Sequence, residues 1–363
     1  MGNLSIIRNI PIMTPLVKCR DWFMNKTGLF GLKRKIKQRL FFSRLLKEDA
    51  KKKKKISSLL RNMPNDFISN VISDKDVIVS LTSYGKRVED SLPYALYSLL
   101  KQTIIPKKII VYIDEKIWSD DNIPQLLKEL KRIGVTICYC EDLRSHTKLL
   151  HALRQFPNNP IITVDDDLYY NKQSIEWLIN AYQSSDKKTI FGTWGCKPQK
   201  VSGKYTPYSQ WKVCKFDVDE DNVSLYGVGS CCYPPHIFDD EIFNKDVFLK
   251  LCPTADDIWF WIQEERLGIK RKYVGPYDNG FHEYVNRIEE YDMKQQGTLM
   301  FQNVTNGKND IQLKKLLQFY NLDCSSTALF IELITSSGYL KNSLFSNRKV
   351  RIPRYFFKYS VRS

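Results

Sequence analysis

Three consecutive aspartates, Asp165, Asp166 and Asp167, follow the short apolar run Ile161-Ile162-Thr163-Val164. Adjacent carboxylates repel one another unless a cation shares their charge. A hard divalent ion carrying a diphosphate suits them, because Mg²⁺ and Mn²⁺ take oxygen ligands and combine one or two carboxylates with substrate phosphates. In an extended segment Asp165 and Asp167 point the same way and can share one metal, while Asp166 points opposite. A solvated acidic turn would also use acids, but the helix expected next already has Asn171 as its cap. A second acid pair, Asp256-Asp257, precedes the apolar run Ile258 to Ile262. It suits an ordinary helix N-terminus by capping and dipole, and it equally suits a general base that deprotonates a hydroxyl.

Strands and helices must bring these acids together. Val77 to Thr82 is a β-branched run ending in Ser83-Tyr84-Gly85-Lys86-Arg87. The spacing of Leu92, Leu96, Leu99 and Leu100 predicts a helix over 92–102, and Pro106 resets the chain before a strand from Lys108 to Ile113, ending at Asp114. A helix over 123–133, a strand over 135–139 and a helix over 146–155 lead to the aspartate strand, and a further helix carries Ile175, Leu178, Ile179 and Tyr182. This alternation predicts an α/β fold with a mainly parallel sheet flanked by helices, and ligands bind beyond the carboxyl ends of such strands. Residues 192–237 are rich in Gly, Pro and Tyr and read as loops for an acceptor. Helical signals return over 239–251, 255–267 and 310–319. Neither a Gly-x-Gly-x-x-Gly after the first strand nor a Walker lysine loop is present, which argues against a dinucleotide dehydrogenase and a P-loop NTPase.

The 363 residues are 43% hydrophobic and 13% aromatic, ample for a folded core. The net charge of +16 is uneven. Residues 1–62 carry a balance of +14 and residues 341–363 one of +7, which leaves the body at −5. The expected division is a basic, partly helical N-terminal arm over 1–62, a catalytic domain over 75–325 and a C-terminal segment with a basic tail over 326–363. In the arm Leu32, Ile36, Leu40 and Phe41 interleave with Lys and Arg and precede the run Lys51 to Lys55. That composition favours an anionic membrane surface over nucleic acid as the partner. No stretch reaches the roughly 20 apolar residues that a membrane span needs. Met1 to Pro15 makes a poor signal peptide. The nine scattered cysteines lack zinc or CxxC spacing and read as reduced, mostly buried thiols of a cytoplasmic protein.

The order of these pieces resembles glycosyltransferases of the GT-A fold, and most of all the inverting, family 2-like enzymes that build bacterial surface polysaccharides. The resemblance runs from about Val77 to about Leu322 and implies a GT-A-like sheet with basic N- and C-terminal extensions. It implies that Asp165 and Asp167 bind Mn²⁺ or Mg²⁺ and that Asp166 belongs to the same donor motif. Tyr226-Gly227-Val228-Gly229 matches the glycine-rich stretch near donor and acceptor, so Gly227 and Gly229 are expected at the donor. Thr254-Ala255-Asp256-Asp257-Ile258-Trp259 matches the acid pair whose carboxylate is the base. The usual pattern there is Glu-Asp; with Asp-Asp either acid can serve, and Asp257 is favoured. Phe281-His282-Glu283 matches a histidine that joins the metal shell. Asp114 is then expected at the nucleoside, Thr82 and Arg87 along the nucleotide site, and Lys148 facing the diphosphate. Trp259 and Trp261 are placed to wall the acceptor site, and His146 and His151 to serve the structure.

The function implied is metal-dependent transfer of a sugar from a nucleotide-diphosphate sugar, a UDP-sugar favoured, to a glycan or lipid-linked hydroxyl. The protein is expected at the inner face of the membrane, held there by its basic arms. A nucleotidyltransferase or sugar-phosphate transferase would use a similar metal-carboxylate site. A nucleic-acid-binding protein would rest on the basic arms alone, and the mildly acidic body lacks the groove it needs.

Overall fold

A computed structural model describes residues 29–71, 76–214, 220–274, 283–288, 303–304 and 306–322. The basic tail and His282 lie outside the described residues. Eight strands form the central sheet: β1 (Ile78–Thr82), β2 (Lys108–Asp114), β3 (Thr136–Cys140), β4 (Ile161–Thr163), β5 (Thr189–Gly192), β6 (Glu220–Asp221), β7 (Cys231–Tyr233) and β8 (Lys270–Tyr273). Their order across the sheet is β6-β8-β5-β7-β4-β1-β2-β3. β1 pairs in parallel with β2 and β4, and β2 with β3, as the strand-helix alternation predicts. β8 runs parallel to β5. β7 is antiparallel to both β4 and β5 and so sits reversed in the middle of the sheet, inside the stretch read as loops.

Side-chain alternation assigns the two faces. Val79 and Leu81 of β1 join Ile109, Val111 and Ile113 of β2 in one hydrophobic cluster. Ile78, Ile110 and Tyr112 belong to the other. Helices α2 (Leu92–Leu99), α3 (Gln125–Ile133) and α5 (Ser174–Gln183) cover the first face. Helices α4 (Thr147–Gln155), α6 (Asp256–Leu267) and α7 (Lys308–Phe319) cover the second. Every residue of α6 from Ile258 to Glu264 is buried, so Trp259 and Trp261 are core residues, correcting their placement at an acceptor site. The indole of Trp259 donates to the Ile242 carbonyl 3.0 Å away.

The described part of the basic arm is helical and packs on the body. Helix α1 spans Leu29–Arg61, built from good helix formers and stopped before Pro64. Leu45, Ile56 and Leu60 are buried, and the last two belong to the core cluster under the sheet. The Lys51–Lys55 run therefore rides on a packed helix: lysine stems can lie along apolar surface while their heads reach partners. Ahead of Leu45 the helix carries exposed Ile36, Leu40 and Phe41. Among the described residues no helix is long and apolar enough to cross a membrane. Of the seven described cysteines five are buried.

Because Leu60 is fully buried and Leu40 is 67% exposed, their truncations should separate the two halves of α1. Leu60→Ala is expected to cost about 2–5 kcal/mol in urea unfolding, and Leu40→Ala within about 0.5 kcal/mol of nothing. Equal effects would contradict the packing described.

Candidate active site

The carboxyl ends of β1, β2 and β4 lie side by side and deliver Thr82, Asp114 and Asp165 to one edge of the sheet. Thr82 is half-buried, and its hydroxyl donates to the Tyr112 carbonyl at 2.9 Å, bridging β1 and β2. Asp114 accepts the Lys116 amide at 2.9 Å and shapes the turn after β2. Both lie at the carboxyl ends of their strands, with these contacts engaged in the fold.

After β4 the chain bends at Asp166 and Asp167, so the alternation expected of an extended segment stops there. Asp165 turns to Lys148, with Nζ 2.7 Å from Oδ1. Asp166 and Asp167 share Arg87, whose Nη1 lies 3.0 Å from Asp166 Oδ1 and whose Nη2 lies 2.9 Å from Asp167 Oδ2. The hydroxyl of Ser83 donates to the other oxygen of Asp166. Side-chain exposure falls from 27% at Asp165 to 5% at Asp166, so the first aspartate is the open one and the second is a support for Arg87. Burial pushes the Asp166 carboxyl above the usual range, against the pull of Arg87 and Ser83.

Lys148 lies in the first turn of α4, beneath the site, and its carbonyl accepts the Ser80 hydroxyl of β1. It is 6% exposed. Burial alone would drive its proton off, but Asp165, Asp256 and Asp257 hold the ammonium well above its ordinary value. Its Nζ is 3.3 Å from Asp256 Oδ2, and so one cation joins the two acid clusters.

Asp256 and Asp257 open α6, and their environments differ. Asp256 is buried; desolvation works most strongly against its charge, but Lys148 together with its other neighbours outweighs it and holds the carboxyl below the usual range. Asp257 is half-buried and accepts the Gly227 amide at 2.8 Å. Burial, then the neighbouring Asp256, push it up to about 8. Two carboxyls with separated proton affinities are the usual mark of divided acid-base roles.

Strand β7 is why Gly227 is here. The segment Tyr226–Ser230 runs into β7, which lies against β4 and its aspartates. A Cβ on Gly227 would stand 2.5 Å from Lys148 Nζ and 3.1 Å from Asp257 Oδ1. One on Gly229 would stand 2.8 Å from the Trp194 amide nitrogen. The first glycine is an approach to the charged groups, whereas the second is a packing contact with the neighbouring backbone.

Sequence reasoning did not single out Ser83 or Tyr170. Tyr170 is buried; its hydroxyl accepts the Asp165 amide at 2.6 Å and faces the Val228 carbonyl at 3.4 Å, tying the aspartate loop to the glycine loop. Ser83 adjoins Thr82 at the strand end and was legible by position. His146 is fully buried, stacked on Phe248 at 4.5 Å, and burial lowers its pKa to about 4. His151 stacks on Tyr112 at 5.5 Å, and both histidines are thus structural, as expected.

The cluster sets five carboxyls, Asp165, Asp166, Asp167, Asp256 and Asp257, against the two cations Arg87 and Lys148. Its oxygens are hard donors that suit a divalent ion. Among the described residues no group of three His, Cys, Asp or Glu converges to hold an ion.

Residues 78–246 match the model of the family described as glycosyl transferase family 2. That stretch contains Asp165–Asp167 and Gly227–Gly229 and stops short of Asp256. Among solved structures the chain is similar to S. aureus TarS 1–349, at 16% identity and a TM-score of 0.37, over 77% of this chain and 76% of that one. It is similar to a cytidylyltransferase from Leptospira borgpetersenii serovar Hardjo-bovis at 11% identity and a TM-score of 0.36, over 76% and 98% of the two chains. Glucosyl-3-phosphoglycerate synthase from Mycobacterium tuberculosis, in complex with Mn²⁺, UDP and glucosyl-3-phosphoglycerate, matches at 12% identity and a TM-score of 0.26, over 33% and 44%. These structural likenesses are too distant to decide any chemistry. No curated protein matches the sequence. Residues 78–246 thus resemble a glycosyl transferase family 2 domain and carry the parallel strands β1 to β4 of an α/β sheet.

Proposed function

We propose that the protein moves a sugar from a nucleoside-diphosphate sugar, a uridine one favoured, to a hydroxyl of a glycan or lipid-linked acceptor, with inversion. The observation that supports this most is the joining of two acid clusters, distant in sequence, by the buried ammonium of Lys148. Inverting transfer needs acids at the donor diphosphate and a separate carboxylate for the acceptor.

In this reading Asp257 is the base. Its carboxylate takes the proton from the acceptor hydroxyl as that oxygen attacks the anomeric carbon. The bond from that carbon to the diphosphate oxygen breaks, and the nucleoside diphosphate leaves with the electron pair. A proton affinity near the working pH makes Asp257 the better base of the two. The low pKa of Asp256 suits a fixed negative charge that orients Lys148. The Gly227 amide aims one Asp257 oxygen and leaves the second to the acceptor. Asp165 and Asp167, with oxygens of the donor diphosphate, would hold Mn²⁺ or Mg²⁺, which neutralises charge on the leaving group when bound. Arg87 orients Asp167, and Asp166 orients Arg87. The exposed Ile36, Leu40 and Phe41 of α1, interleaved with Lys37 and Arg39, support a place against an anionic membrane surface at the cytoplasmic face.

Asp257→Asn is expected to lower the transfer rate by about 10²–10⁴-fold. The parent kcat/KM should climb with pH until about 8, as Asp257 loses its proton, and the residual activity of the variant should lack that limb. Stability should move the other way. A raised pKa means that the folded protein holds this proton more tightly than the unfolded chain does. The resulting stabilisation is complete below ~4 and is lost as pH rises to about 8. Asp257→Asn should therefore melt above the parent at pH 8 and level with it near pH 4. A variant that keeps activity within tenfold would remove Asp257 from the role.

Membrane attachment is tested without deleting core residues. Leu40→Glu with Phe41→Glu should abolish pelleting with phosphatidylserine vesicles at physiological salt and leave the melting temperature unchanged, since both side chains are exposed. Pelleting equal to the parent would end this part of the reading.

A further inference from the structure

The buried face of α1 carries a carboxylate among its apolar residues. Asp49 is 8% exposed, between Leu45 and Ile56 on that face. Both of its oxygens are taken by one residue: the Arg287 amide donates to Oδ2 at 3.0 Å, and Arg287 Nε donates to Oδ1 at 2.6 Å. The same guanidinium lies 3.0 Å from Glu48 Oε2 and 3.5 Å from the Leu45 carbonyl. One turn on, the lysine run continues the grip. Lys52 Nζ is 2.7 Å from Glu283 Oε2 and stands 3.6 Å over the Tyr169 ring. Lys53 Nζ binds Asn286 Oδ1 at 2.5 Å and the Asp90 carbonyl at 2.6 Å. Three residues of the short segment 283–288 are thus each fastened to α1.

That segment touches the aspartate motif directly. Glu283–Tyr284 pairs antiparallel with Leu168–Tyr169, the two residues that follow Asp167. The Val285 amide then donates to the Asp167 carbonyl at 2.8 Å. A pairing of two residues with two has little stability of its own. Val285 anchors it in the core, and the charged contacts from α1 fasten it on either side, with the doubly bonded Asp49–Arg287 pair the least exposed of them. Removing Arg287 leaves the Asp49 carboxylate buried without its cation, whereas removing Asp49 leaves Arg287 with Glu48 alone on α1.

We propose that Arg287, held by Asp49, is a positioning residue for the donor site, and that α1 thereby sets the placement of Asp167. This rests on the reading of Asp167 as a donor-site acid. It gives the lysine run a second role beside any surface attraction: the helix that carries the exposed basic end is wired to the loop that receives the diphosphate.

The test uses the full chain and two readouts. The first is the dissociation constant of UDP in saturating Mn²⁺ by calorimetry, with GDP and CDP run in parallel. The second is amide hydrogen exchange at Leu168, Tyr169 and Val285. Asp49→Asn and Arg287→Met are each expected to weaken binding of the nucleotide that the parent prefers by about tenfold and to speed exchange at those amides. The double variant should be no worse than the weaker single, because the two residues act through one contact. Arg287→Lys keeps the charge and guards against misfolding; it should lose part of the affinity. Parent affinity in variants that melt lower would reduce the pair to a stabilising contact and overturn the proposal. A parent that binds none of the three nucleotides would overturn the donor reading and this proposal with it, an outcome that no variant comparison can imitate.

Discussion

The site is organised by an ammonium group out of water. Lys148 is buried, and desolvation of such a group costs several kcal/mol. At an effective dielectric of about 20, each opposite charge at 4 Å returns about 4 kcal/mol. Two partners closer than that, Asp165 and Asp256, therefore keep it charged. Because the lysine is fixed, so is the distance between the acids that would meet the donor and those that would meet the acceptor. The two carboxyls of α6 then divide: Asp256 faces the ammonium and stays ionised, while Asp257 turns to the Gly227 amide and holds its proton more tightly.

Everything around this group serves its placement. Helix α4 is seated under β1 through the Ser80 hydroxyl, which sets the height of Lys148. The reversed strand β7 brings the glycine loop across, and residue 227 has no room for a side chain beside the ammonium. Tyr170 joins that loop to Asp165. On the far side of the motif, Arg87 gathers Asp166 and Asp167 with one planar fork, a geometry that a lysine could not reproduce.

Strands β1, β2 and β4 were legible because their apolar runs are continuous, as strands buried on both faces must be. Strand β8 was not: Lys270-Arg271-Lys272-Tyr273 reads as surface, and its Arg271 is buried only because Glu264 and Glu265 of α6 meet it there. Strand β7 is three residues with two cysteines, too short for any periodicity. The acids of the site were legible by type, and so were Arg87 and Lys148. Which cation meets which acid was not, because a bend at Asp166 replaces the extended alternation. The arm misled for a related reason. Lys52 and Lys53 look solvated in sequence, and their partners, Glu283, Asn286 and the Tyr169 ring, arrive from distant parts of the chain. Trp259 and Trp261 sit beside the acid pair in sequence, yet α6 is buried on all sides there, which turns both indoles into the core.

The measurement that tests the central claim most directly is ³¹P NMR of nucleotide sugars incubated with the protein, Mg²⁺ and a mixed glycan and lipid-linked acceptor extract. Glycosyl transfer at a diphosphate held between Asp165, Asp167 and Lys148 requires the resonances of a free nucleoside diphosphate to grow, and to grow about a hundredfold or more slowly with Asp257→Asn. Release of pyrophosphate when the nucleoside triphosphate and a sugar phosphate are supplied instead, with no nucleoside diphosphate from any sugar donor, would contradict the account and make the same acids the site of nucleotidyl transfer.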